Sequence, residues 1–338
     1  MELILEKSIL IIVIFSITLV IAMYSTYMER KVAAFLQDRI GPDRAGPFGI
    51  LQPLADGGKM FFKEDFIPAN SERWLFILGP GIAMLTALMT SAVIPWGTSI
   101  EMFGRNISLQ VADINIGILY VMGFLSIGVY GIMVGGWASN NKYSLMGAIR
   151  ASSQMISYEL AMGLSIIAIV MMNESLSLSV IAKNQEGWHW NVLYQPLGFL
   201  IFIVCAFAET NRAPFDLAEC ESELIGGYHT EYSSMKLGFY LFAEYINMFI
   251  SATMISTLYF GAYNFPGMHF FEGNTLAILG VLALFAKIFF FIFFFMWVRW
   301  TLPRFRYDQL MHLGWKVLIP LAIINMLITG GWMTYVWK

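Results

Sequence analysis

Phe199-Leu200-Ile201-Phe202-Ile203-Val204-Cys205-Ala206-Phe207-Ala208 runs without a break into Glu209-Thr210-Asn211-Arg212-Ala213-Pro214-Phe215-Asp216-Leu217-Ala218-Glu219-Cys220-Glu221-Ser222-Glu223-Leu224. The first ten residues suit hydrocarbon. The next sixteen carry five carboxylates, and Glu231 follows shortly after, so six of the chain's 23 acids fall here with Arg212 as the only arginine. Beyond Lys236 the chain is apolar again. An acidic loop wedged between two apolar runs costs too much in desolvation and charge repulsion to be a plain connector.

Composition extends this reading to the whole chain. Of 338 residues, 58% are hydrophobic and 13% charged, against about 25% charged in a soluble domain. Mean hydropathy is +0.67, and repeated apolar stretches of about 20 residues indicate a polytopic membrane protein. A net charge of −3 gives no reason to expect nucleic acid as a partner. Cys205 and Cys220 form no C-x-x-C and no Cys/His cluster, so no iron–sulfur cluster, haem attachment or structural zinc is expected. The N-terminal stretch lacks a basic region and a small-residue cleavage site, which reads as a retained first span.

Apolar windows place eight spans near 8–29, 74–95, 114–137, 153–173, 194–210, 237–261, 275–298 and 315–336. The fold class is therefore all-α, one transmembrane domain over 1–338. Alternate loops divide the basic residues fifteen to four, the larger set running from Arg30 through Lys142, Arg150, Arg212 and Lys236 to Lys316. That asymmetry predicts a cytoplasmic acidic loop (209–236) and both termini outside. No internal repeat is visible, against an inverted-repeat transporter.

After Glu29-Arg30-Lys31 the first cytoplasmic loop reads Gln37-Asp38-Arg39-Ile40-Gly41-Pro42-Asp43-Arg44-Ala45-Gly46-Pro47. Its glycines and prolines predict a path of turns. Residues 49–63 then form an amphipathic pattern, with Ile50, Leu51, Leu54, Phe61 and Phe62 on one face and Gln52, Asp56, Lys59 and Lys63 on the other. Such a helix lies in the membrane interface. It is either a simple anchor or one lip of a portal for a lipid-soluble molecule. Gly57-Gly58 weakens it by about 1 kcal/mol each relative to alanine, which is tolerable where a flat ligand or another backbone comes close.

Ionisable residues inside spans cost roughly 2.5–3.5 kcal/mol each at mid-span and normally face a bundle interior or water. Glu159 and Glu244 each fall about 10 Å in from the cytoplasmic end, at 1.5 Å per residue. Glu209 closes the fifth span, and Lys287 sits near the middle of the seventh. Two readings stay open, structural Glu–Lys pairs and a proton path. In the loop, Asp216, Glu219 and Glu223 share a face if 216–223 is helical, and Glu219, Glu221 and Glu223 share one if it is extended. Crowded carboxylates raise one another's pKa in either form. Phe215, Leu217, Leu224 and Ile225 interleave with them, which suits a loop folded back into the protein rather than a solvated run.

Several blocks resemble one family. They are Glu29-Arg30-Lys31, Gln37 to Pro42, Leu51-Gln52-Pro53-Leu54-Ala55-Asp56, Gly136 to Tyr143, Gln154-Met155-Ile156-Ser157-Tyr158-Glu159, Ala208 to Tyr232, Ala243-Glu244-Tyr245, Arg299, and Pro303 to Met311. In this order they are similar to the H-subunit family of bacterial NADH–quinone oxidoreductases, the counterpart of mitochondrial complex I subunit 1. The resemblance implies a multi-pass subunit of the bacterial inner membrane with periplasmic termini. Its partners would be peripheral-arm subunits that share the quinone chamber and neighbouring membrane-arm subunits. FMN and iron–sulfur clusters would belong to partners, and this chain alone would bind no cofactor. Quinone, ubiquinone or menaquinone, would be the substrate, entering between the first span, the amphipathic helix and the sixth span. Carried over residue by residue, Glu29, Arg30, Arg39, Asp56, Lys59, Phe215, Glu219 and Arg299 would serve the quinone. Glu159, Glu209, Asp216, Glu221, Glu223, Glu244 and Lys287 would serve proton coupling. The rival readings are a free-standing proton or sodium transporter and the membrane anchor of a related hydrogenase-type complex.

Overall fold

Backbone polar groups in a bilayer must be satisfied within the chain, so apolar runs fold as helices. The computed structural model describes residues 2–102, 105–217 and 224–336. Among them, twelve α-helices run in order: α1 Glu2–Leu36, α2 Gln52–Phe62, α3 Arg73–Thr90, α4 Gly117–Ala138, α5 Lys142–Asn173, α6 Leu178–Lys183, α7 Asn191–Tyr194, α8 Pro196–Glu209, α9 Ser234–Tyr259, α10 Gly273–Thr301, α11 Tyr307–His312 and α12 Ile319–Val336. A π-helical turn, Leu313–Leu318, joins α11 to α12. An antiparallel hairpin, β1 Ser99–Met102 with β2 Arg105–Ser108, occupies the loop before α4. The Asn274 amide clamps it to the start of α10, accepting from Glu101 N (2.7 Å) and donating to Glu101 O (2.9 Å).

Among the described residues, seven helical segments are long and apolar enough to cross a membrane. The expected fifth span is the exception. α8 has 14 residues, about 21 Å, short of the roughly 30 Å hydrocarbon core. Pro196 starts it two residues after α7 ends, a position where proline's missing N–H costs nothing. Gln195, at the break, is held by α12: its amide donates to Thr329 Oγ1 (2.7 Å) and accepts from Asn325 Nδ2 (2.9 Å). α1 and α5 exceed their expected spans, at 35 and 32 residues. Glu29, Arg30 and Lys31 are consequently helical rather than the start of a loop.

The α3–α4 contact shows how sequence chemistry closes the bundle. Pro80 lies inside α3 and cannot donate to the carbonyl four residues earlier, Phe76. The Tyr232 hydroxyl supplies that bond at 3.1 Å and also reaches Gly135 O at 3.2 Å. Burial pushes the Tyr232 phenol up to about 12, so it remains a donor across the physiological range. Gly131 and Gly135 form a small-xxx-small stripe that lets helices approach, and a Cβ at Gly135 would fall on the Tyr240 hydroxyl. Gly135→Ala is therefore expected to cost about 1–3 kcal/mol by overpacking, read as a lower Tm of the solubilised protein. An unchanged Tm would refute this account of the α3–α4 seam.

In the first loop Gly49 holds φ +78, and a Cβ there would strike the Pro42 carbonyl. The turn-rich path ends in α2, which is shorter than the 49–63 pattern: residues 47–49 form a separate 3-10 turn. Phe61 and Phe62 point outward, 70% and 94% exposed.

Candidate functional site: a charged cleft between α1, α2, α9 and α10

A cleft of about 360 Å³ opens where four helices meet, lined by Met23 and Glu29 of α1, Asp56, Gly57 and Met60 of α2, Phe242 and Tyr245 of α9, and Arg299 and Trp300 of α10. Arg30 and Arg212 complete its wall. Apart from chain neighbours and the helix's own backbone, no atom among the described residues lies within 4 Å of where a Cβ would stand on Gly57 or Gly58.

The charges in the wall form a chain of alternating sign. Arg299 Nη1 donates to Glu29 Oε1 in a short contact. Glu29 Oε2 accepts from the Tyr245 hydroxyl (2.8 Å) and faces Arg212 Nη1 at 3.5 Å. Arg212 Nη2 faces Glu244 Oε2 at 3.5 Å, and the Tyr228 hydroxyl donates to Glu244 Oε1 (3.1 Å). Glu29, Arg212 and Glu244 are 7%, 5% and 7% exposed. The guanidinium of Arg212 also lies 4.2 Å from the Tyr245 ring centroid, a cation–π contact that suits a planar, delocalised cation. Outside the buried chain, Arg30 Nη1 meets Asp56 Oδ2 at 2.6 Å, and Gln52 and Lys59 reach the other oxygen at 2.9 and 3.6 Å.

Behind Glu244 lies a cavity of about 20 Å³ whose lining includes Glu209, Asn211, Tyr228, Glu244 and Asn247. By volume it can hold one water. Glu209 Oε2 and Asn247 Oδ1 are buried and accept no hydrogen bond among the described residues. Further along, Glu159 accepts a short hydrogen bond from Ser126 Oγ. Glu159 opens sideways onto a groove of about 430 Å³ shared with Met122, Gly163, Ile167 and Trp315. The groove lies between α4, α5 and the π turn.

Of the expected quinone residues, Glu29, Arg30, Asp56 and Arg299 meet in the cleft. Lys59 touches Asp56 from outside, and Arg39 is exposed, donating to Gln37 Oε1 (2.8 Å). Phe215 is buried elsewhere, packed between Tyr158 and Phe305, its carbonyl accepting from Gln154 Nε2 (2.7 Å). Asp216 is half-buried at the start of the loop. Glu219, Glu221 and Glu223 lie outside the described residues. Lys287 meets none of the acids among the described residues and instead donates to three backbone carbonyls. Sequence reasoning missed Arg212, Tyr245, Tyr228 and Asn247. Arg212 was visible as the one arginine among the acids, and Tyr245 as the neighbour of Glu244. Nothing in the sequence marks Asn247. Among the described residues no three His, Cys, Asp or Glu side chains gather as a metal site.

Comparison with known proteins agrees with the architecture. Residues 8–330 match the family described as NADH dehydrogenase. The H subunit of the NADH-quinone oxidoreductase of Flavobacterium johnsoniae is 67% identical, over 97% of this chain and 95% of its own length. An H subunit of the same enzyme from Cytophaga hutchinsonii is also 67% identical, over 98% and 97%. One from Geobacter metallireducens is 50% identical, over 95% and 94%. With its helices, its charged cleft and this full-length likeness, the chain belongs to the NADH dehydrogenase family, among the H subunits of NADH-quinone oxidoreductase.

Proposed function

We propose that this chain forms the membrane-facing part of the quinone site of a proton-translocating NADH–quinone oxidoreductase and links quinone reduction to proton movement. The observation that carries the reading is the cleft itself. Its lipid-side wall is apolar (Met23, Met60, Leu241, Phe242, Trp300) and its inner wall carries Arg299, Glu29 and Arg212, with Glu244 paired to Arg212 behind it. Its volume suits ligand pockets of roughly 300–1,000 Å³. The open space over Gly57 leaves room for a flat ring against the α2 backbone.

In this reading the quinone reaches the cleft between α1, α2 and α9, and its reduction draws protons and charge to the inner wall. Acids linked this closely titrate as a group. The disturbance passes from Glu29 through Arg212 to Glu244, across the small cavity to Glu209, and on to Glu159, whose groove faces a neighbouring membrane subunit. Glu219, Glu221 and Glu223 would join the loop side of the same path. The chain is a multi-pass protein of the inner membrane, with the cleft on the cytoplasmic side and both termini outside. Peripheral subunits carrying FMN and iron–sulfur clusters deliver the electrons.

Gly57→Leu tests the cleft. It strengthens helix α2 while filling the space above it, so the assembled complex is expected to keep its stability and lose apparent quinone affinity by at least about tenfold, the equivalent of 1.4 kcal/mol. A photoreactive quinone analogue should label Met60 or Phe242 in the parent and not in the variant. Normal quinone kinetics with an equally stable Gly57→Leu complex would refute the assignment.

A further inference from the structure

Lys287 is a charged residue that the cleft and the acid chain do not use. It lies midway along α10 and is partly buried. Its ammonium donates to Phe260 O (2.7 Å), Ala262 O (2.8 Å) and Asn264 O (2.6 Å), which takes up all three of its N–H donors. The Trp190 ring lies 5.5 Å away, within cation–π range. Gly261 (φ +72) and Ala262 (φ +46) turn the chain just past the end of α9, so that alternate carbonyls converge on one point.

These carbonyls line the turn that follows a helix end, and that end itself needs partners. The last four C=O groups of an α-helix have none of their own, and in a membrane interior that is costly. Side chains from the α6–α7 segment meet two of them: Gln185 donates to Thr257 O (3.0 Å) and Asn191 to Leu258 O (2.8 Å). The Asn264 amide ties the turn to Ala182 O (2.6 Å). Lys287 takes the carbonyls of the cap residue and of the turn beyond it, and brings the positive charge that a helix C-terminus favours.

Its placement separates it from the acids. Phe260 is sixteen residues beyond Glu244 on and just past the same helix, about 24 Å at 1.5 Å per residue. An amine that released a proton here would leave two donors for three carbonyls and turn a lone pair toward one of them. Carbonyl convergence at 2.6–2.8 Å fits an ammonium group and is too long for a magnesium site at about 2.0–2.1 Å.

We propose that the Phe260, Ala262 and Asn264 carbonyls, with the Trp190 ring, form a monovalent-cation cradle filled by the Lys287 ammonium. Lys287 is thus a fixed positioning charge that closes the outer end of the bundle, and it does not relay protons from the acid chain. The cradle does not depend on the quinone reading. Two measurements on the assembled complex test it. Lys287→Ala empties the cradle, so its Tm should fall, and ammonium chloride should restore it where equimolar tetramethylammonium chloride, which cannot donate hydrogen bonds, does not. Lys287→Arg keeps a permanent cation that cannot be deprotonated, so quinone-driven proton ejection should stay within roughly twofold of the parent. An ammonium-insensitive Lys287→Ala complex would overturn the cradle. A fully assembled Lys287→Arg complex that reduces quinone without ejecting protons would overturn the fixed-charge role.

Discussion

Arg212→Met is expected to abolish quinone reduction while NADH oxidation by a hydrophilic artificial acceptor continues in the same membranes. Arg212 is the cation between the two buried acids of the chain, 3.5 Å from both Glu29 and Glu244. Methionine fills much of the volume and removes the charge. Glu29 would keep Arg299 and the Tyr245 hydroxyl, but Glu244 would lose the cation that its ion pair supplies. Breaking a buried ion pair by removing one partner costs about 3–5 kcal/mol of stability, so assembly is measured alongside activity. The protein would recover neutrality by protonating an acid, which disables the coupling groups. Arg212→Lys separates charge from shape. It restores a cation without the planar fork or the stack on Tyr245, so activity between the parent and Arg212→Met is expected. Equal quinone reduction in parent and Arg212→Met, at equal assembly, would remove Arg212 from the mechanism.

The second large effect is expected from Glu244→Gln. Glutamine is close in shape and can still accept from Tyr228, so packing at the small cavity should survive. The charge facing Arg212 is lost, along with a carboxyl able to take and release a proton. Proton ejection driven by quinone reduction should fall to background, with artificial-acceptor activity kept. Glu159→Gln, on the groove side, should do the same. Because both residues are placed on one path, the double variant should be no worse than either single one, the non-additivity expected of coupled sites. Full proton ejection in both single variants would sink the path, and strictly multiplicative losses would place the two acids on separate ones.

The membrane class, the helices at most of the expected spans and a helix after the first loop could all be read from the chain alone. Hydropathy and period are local properties, so a window of twenty residues carries enough of them to decide whether a segment enters lipid. Glu29, Arg30, Asp56 and Arg299 were also legible, because short motifs surround them. The limits of local reading appear at α8, where a window of apolar residues looks like a full span and the helix is about 21 Å long.

What only the tertiary structure decided is which charges meet. Arg212 comes from a loop, Glu29 from α1 and Glu244 from α9, and none of their spacings in sequence predicts a bridge. Hydropathy says that a helix is buried without saying how it is rotated, and a rotation of one residue, about 100°, would turn Glu244 away from Arg212. Lys287 makes the same point in reverse. In sequence it looks like a partner for the acids, and in space it belongs to three carbonyls at the opposite end of α9. Ion pairing in a low-dielectric interior is settled over a few ångströms, a scale set by helix packing and not by position along the chain.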